Sequence, residues 1–110
     1  MSTPETKVKT KIKKLLNKYG AYSHMPVQNG MGSPSLDFVC CINGLYLAIE
    51  AKTTPKKPTK RQRTTMGQIV AAGGVAIWVD EDRIPQLEEL LKKLSTLQVS
   101  FVERTDKPTA

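Results

Sequence analysis

The chain is poor in cysteine, histidine and aromatic residues, and each shortage excludes a class of function. Its two cysteines, Cys40 and Cys41, are adjacent. Neighbours on a strand point to opposite faces, so the two are poor partners for a disulfide. With a single histidine, His24, they do not make a structural zinc site. Both cysteines read as small apolar packing residues in a reducing compartment, and His24 as a loop or strand-end residue. Aromatic residues make up 5% of the chain, too few for a platform that stacks single-stranded bases. No apolar run reaches the ~18 residues of a membrane span. No apolar stretch follows the polar, basic N-terminus, so the sequence shows no secretion signal and points to the cytoplasm. Repeats are also lacking. Acids are the last shortage: 10 Asp and Glu stand against 17 Lys and Arg, a net charge of +7 that favours an anionic partner, nucleic acid first.

What is present is one globular domain. A chain of 110 residues supports a single modest core. Thr3-Pro4-Glu5 opens a helix with an N-cap, a first-turn proline and an acid at the positive end of the dipole. Val8, Ile12, Leu15, Leu16 and Tyr19 form its apolar stripe, and Gly20 ends it. A short strand is expected around 21–27, then a Gly-rich loop, "QNGMGSPS". Two strand-like runs, 38–42 and 45–51, flank Asn43-Gly44, the strongest short hairpin signal. "TTPKKPTKR" is a basic, proline-broken loop. Thr59 caps a helix running to about Ala72, stopped by Gly73-Gly74. "VAIWV", 75–79, suits a buried strand paired in parallel through that helical crossover. Pro85 starts a last helix with leucines 87, 90, 91, 94 and 97 on one stripe, and 99–102 reads as an edge strand. The domain is expected to span residues 1–104, with 105–110 as a flexible tail.

The hairpin carries the chemistry. A two-residue Asn43-Gly44 loop sets Asp37 opposite Glu50, on a non-hydrogen-bonded pair where side chains come closest. Lys52, two residues on, shares their face. Two facing carboxylates repel, and a divalent cation removes that penalty; oxygen ligands with retained water suit Mg²⁺ or Mn²⁺. Lys52 beside such an ion can orient or deprotonate a water, or stabilise charge on a phosphate. Metal, activated water and a cationic group are what phosphodiester hydrolysis requires. Glu5 falls in the apolar stripe of the first helix, a place for an outer acid as well as for a favourable first-turn Glu. Gln62 shares a helical face with Met66 and Ile69 while completing a capping box with Thr59. Lys56, Lys57, Lys60, Arg61 and Arg63 crowd the loop beyond Lys52 as a phosphate-contact patch.

These residues carry a resemblance. "DFVCCINGLYLAIEAK" resembles the acid, strand, Asn-Gly turn and ExK strand of the VRR-NUC branch of the PD-(D/E)xK nucleases. "RQRTTMGQIVAAGGVAIWV" resembles that branch's glutamine helix, Gly-Gly and closing strand. The similarity covers Glu5 to Val79 and is nearest to small stand-alone phage members; one departure is Leu36, where the family usually has proline before the acid. The resemblance implies a restriction-endonuclease-like αβββαβ core with a mixed sheet flanked by helices. It also implies a Mg²⁺- or Mn²⁺-dependent DNA endonuclease without an organic cofactor, working in the host cytoplasm if viral. Asp37, Glu50 and the Ala51 carbonyl would hold metal, with Lys52, Gln62 and Glu5 in the catalytic set. Similarity to Holliday junction resolvases implies a homodimer and branched DNA such as four-way junctions. The alternatives are a nuclease of linear or flap DNA, and a basic nucleic-acid-binding module without catalysis.

Overall fold

Thr3 opens the first helix as its sequence suggests: the hydroxyl accepts the Thr6 amide at 3.1 Å, and Pro4 occupies the first turn. The structure, a computed structural model, describes residues 3–27 and 34–97. The elements run α1 (Pro4–Lys18), β1 (Tyr22–His24), β2 (Phe38–Ile42), β3 (Leu45–Ala51), α2 (Lys60–Ala71), β4 (Val75–Val79) and α3 (Ile84–Thr96). This is the expected αβββαβ order with a C-terminal helix. The expected strand at 99–102 and tail at 105–110 lie outside the described residues, as does most of the Gly-rich loop. Among the described residues, no helix is long and apolar enough to cross a membrane.

The sheet order is β1-β2-β3-β4, antiparallel except for the parallel β3–β4 pair. Ile42 pairs with Leu45 and Phe38 with Ile49, the register a two-residue loop demands. Asn43 (φ 54°) and Gly44 (φ 81°) both take the left-handed conformation that the tight turn requires. The Asn43 amide also donates to the Leu94 and Leu97 carbonyls, binding the turn to the open end of α3. α1 and α3 cover one face of the sheet. Val8, Ile12 and Leu16 pack there with Phe38, Cys40, Ile42, Leu47, Ile49, Leu87 and Leu91 as the core. α2 lies on the other face, against β3 and β4. It approaches so closely that a Cβ on Gly74 would sit 2.9 Å from Ile69 Cγ2, which only glycine avoids.

Four expectations need correction. β1 is three residues long, shorter than the expected strand around 21–27. β4 is the outermost described strand and is half-buried over Val75–Trp78, because no described strand flanks it on its far side. Cys41 is exposed, since α2 does not cover its part of the sheet, whereas Cys40 is buried in the core. Burial pushes the Cys40 thiol up to about 12, so it stays an inert packing group. Leu97 caps α3 and is exposed, outside the buried leucine stripe.

Candidate active site

Asp37 stands immediately before β2, and its side chain meets the far end of β3. Its Oδ2 accepts the Ala51 amide at 2.9 Å, while its own amide donates to Glu50 Oε1 at 3.2 Å. These reciprocal bonds hold the two carboxylates together, as the hairpin register suggested. Buried Leu36 precedes Asp37, so the chain enters the site anchored in apolar packing without the proline. The N–H and C=O of one strand residue share an edge, so the Ala51 carbonyl lies on the edge that faces Asp37.

Glu50 is 4% exposed. Burial raises its pKa first, and the Asp37 charge and a hydrogen bond add to that rise, pushing it up to about 7 against the opposing pull of Lys52. The Lys52 ammonium is 3.8 Å from Glu50 Oε2. Gln62 reaches in from the first turn of α2 and donates from Nε2 to the same oxygen at 2.7 Å. Its other end accepts the Thr59 amide at 2.9 Å, completing the capping box. One side chain thus caps the helix and fixes a carboxylate, so the two readings of Gln62 are both true of its geometry.

Glu5 lies one residue removed from the carboxylate pair, half-exposed in the first turn of α1. It pairs with Lys9 at 3.1 Å, and Lys9 Nζ is in turn 3.8 Å from Asp37 Oδ1, so Glu5 reaches the pair through a lysine. Burial opposes charge on Lys9, but the Glu5 hydrogen bond and the fields of Asp37, Glu5 and Glu50 prevail and raise its pKa. Sequence reasoning passed over Lys9. The signal was its i,i+4 spacing from Glu5, beside the buried positions Val8 and Ile12.

The basic loop divides. Lys56, Lys60 and Arg61 are exposed. Lys57 lies over the Trp78 ring at 5.2 Å, and Arg83 on the same ring at 4.2 Å. Trp78 pairs with Glu50 across β3–β4, so Lys57 is held close to the site. Arg63 donates to the Pro58 carbonyl at 2.7 Å and braces the loop. A second missed group braces it from below: Glu81 accepts from the Thr54 amide at 2.8 Å and hydroxyl at 2.9 Å. Thr54 Oγ1 also contacts buried Asp80 at 3.4 Å. No sequence pattern links residues 54 and 81; only the parallel crossover brings them together.

Among the described residues no cluster of three or more His, Cys, Asp and Glu is present. The oxygens that could hold a cation here are those of the Asp37 and Glu50 carboxylates and the Ala51 carbonyl. All are hard oxygens, and each carboxylate oxygen can accept more than the bond it makes here. Such a set fits Mg²⁺ or Mn²⁺, which keep much of their water. It does not fit zinc, which favours nitrogen and sulfur.

No family model and no curated protein matches the sequence. Among solved structures, a chain described as a VRR_NUC domain aligns with a TM-score of 0.67 at 19% identity, over 80% of this chain and 97% of that one. The chain has the fold of the VRR_NUC domain, a restriction-endonuclease-like α/β core.

Proposed function

We propose that this protein is a divalent-metal-dependent DNA endonuclease, selective for branched DNA such as four-way junctions and acting as a homodimer. The observation that carries the reading is the pairing of buried Glu50 with half-buried Asp37, with Lys52 and Gln62 beside them. Burying two carboxylates against one another is costly, and a cation bound between them turns that cost into affinity. The VRR_NUC fold and the +7 charge support nucleic acid as the substrate.

In this reading Asp37, Glu50 and the Ala51 carbonyl hold the ion. When bound, Mg²⁺ or Mn²⁺ supplies Lewis acidity at the phosphate and eases ionisation of a water. Gln62 keeps Glu50 oriented through Oε2. Lys52 lies on the same side of Glu50, where its ammonium can stabilise charge that develops on the phosphate oxygens. Lys56, Lys57, Lys60 and Arg61 take flanking phosphates, and Arg63 shapes the loop that presents them.

The test offers four-way junction, flap, nicked and linear duplex DNA to the protein with Mg²⁺ or Mn²⁺ and maps the products. Paired symmetric nicks on the junction are expected. Asp37→Asn, Glu50→Gln and Lys52→Met are each expected to lower cleavage on the order of a hundredfold or more, with the fold and DNA binding kept. Cleavage that survives both Lys52→Met and EDTA overturns the reading. Binding without cleavage on every substrate favours a non-catalytic module, and cleavage of linear or flap DNA alone removes the branched-DNA part.

A further inference from the structure

Lys9 brings a second ammonium to the carboxylate pair. It comes from α1, in the layer opposite α2, so the pair is approached from both faces of the sheet. The two oxygens of Asp37 are divided in use. Oδ2 accepts the Ala51 amide at 2.9 Å, and Oδ1 faces Lys9 Nζ at 3.8 Å. Lys9 is also tethered to Glu5 at 3.1 Å, and its side chain is 28% exposed. A lysine of this kind is a compact point charge on a flexible stem with three donors, so it can keep Glu5 while releasing Asp37.

We propose that Lys9 stands in for the divalent cation at Asp37 when the site holds none, and becomes a contact for the DNA phosphate once the ion is bound, with Glu5 as the positioning residue that tethers it. This rests on the nuclease reading above. An ammonium beside an ion-binding carboxylate raises the energy of the bound ion, and Lys9 can relieve this by moving onto its Glu5 tether. It then stands beside the ion as an added positive charge, and a phosphate is the anion that relieves the excess by a charge-assisted hydrogen bond. The consequence is coupling. Lys9 weakens metal binding to the free protein and strengthens DNA binding to the metal-loaded one, so each ligand favours the other.

The test measures Mn²⁺ binding by calorimetry without DNA, and then binding of a fluorescent duplex with and without Mn²⁺ in a Lys52→Met background that suppresses cleavage. Lys9→Met is expected to bind Mn²⁺ roughly threefold to tenfold more tightly than the parent and to lose most of the Mn²⁺-dependent gain in DNA affinity, the range of one partly screened charge. Lys9→Arg is expected to restore the DNA gain. Glu5→Gln is expected to reduce that gain by loosening the tether, and a purely structural role would leave it untouched. Lys9→Gln serves if the methionine variant does not fold. Unchanged or weaker Mn²⁺ binding in the charge-removing variant, Lys9→Met or Lys9→Gln, overturns the proposal, provided Asp37→Asn abolishes Mn²⁺ binding. If Asp37→Asn binds Mn²⁺ like the parent, the metal-site reading itself has failed.

Discussion

The acid at Glu50 is held in a state that burial disfavours, and this sets how the protein responds to pH. Its pKa is raised from the ordinary 4.5 to about 7 by burial first and then by Asp37. Lys52, the Gln62 side-chain amide and the Asp37 backbone amide are favourable partners facing it. A raised carboxyl pKa means that the folded chain binds the proton more tightly than the unfolded one. Its contribution to stability is complete below about 4.5 and is lost as pH rises through about 7. The metal-free protein is therefore expected to show a urea midpoint that falls across this window, and Glu50→Gln to flatten the fall. Mn²⁺ is expected to reverse the trend, because binding needs the ionised acid and tightens as pH rises. Equilibrium denaturation with EDTA and with Mn²⁺ checks both. At this scale the sequence was legible where local geometry decided the matter. Asp37 and Glu50 meet because a two-residue turn fixes the register between them. The Lys9–Glu5 pairing was legible from its i,i+4 spacing, but the reach of Lys9 to Asp37 was not, because it depends on where α1 docks, which no periodicity in its own helix specifies.

Elements convert these residues into a fixed arrangement, and α2 shows how. Its capping box holds Gln62 by the amide oxygen, leaving Nε2 aimed at Glu50. Thr59→Ala is expected to cost about 1 kcal/mol of stability from the lost cap. The cleavage rate of fully folded protein is expected to change little, because the Thr59 group that anchors the Gln62 side chain is the backbone amide, which alanine keeps. Denaturation and single-turnover assays check both expectations. Asn43 has a similar double use, in the turn and at the end of α3. Asn43→Ala is expected to destabilise by about 1–3 kcal/mol, from a left-handed residue without a tolerant side chain and from lost hydrogen bonds. Helix starts, the hairpin and the parallel crossover could all be read from caps, turn residues and apolar stripes. The burial of β4 could not. An apolar run states that a strand has greasy faces, and says nothing of whether a neighbour will pair with its edge. The exposure of Cys41 was hidden for the same reason, since the extent of α2's cover is a property of packing.

The whole chain is basic, with a net charge of +7, and two of its acids, Asp37 and Glu50, meet at one point. The exposed Lys56, Lys60 and Arg61 lie near that point, on the loop and helix start beyond Lys52. DNA binding is expected to weaken steeply with salt. Each of Lys56→Ala, Lys60→Ala and Arg61→Ala is expected to reduce the log–log salt slope by about 0.9 if the residue takes one phosphate of a duplex. Arg63→Ala is expected to lower stability more than the slope, because its guanidinium is spent on the Pro58 carbonyl. Titrations at several salt concentrations distinguish them. Composition alone made the charge excess legible, but not its division into contacts and braces. The position of β3 has a further consequence. It is a central strand, paired on both sides, covered by helices on both faces, and it carries Glu50 and Ala51. The amides of such a strand exchange with deuterium only when the chain opens globally. Glu50 is thus mounted on what should be the slowest-exchanging segment, while the basic loop should exchange early. Heating should then abolish cleavage and the last protected amides together, in one transition, with no partly open form that still cuts DNA.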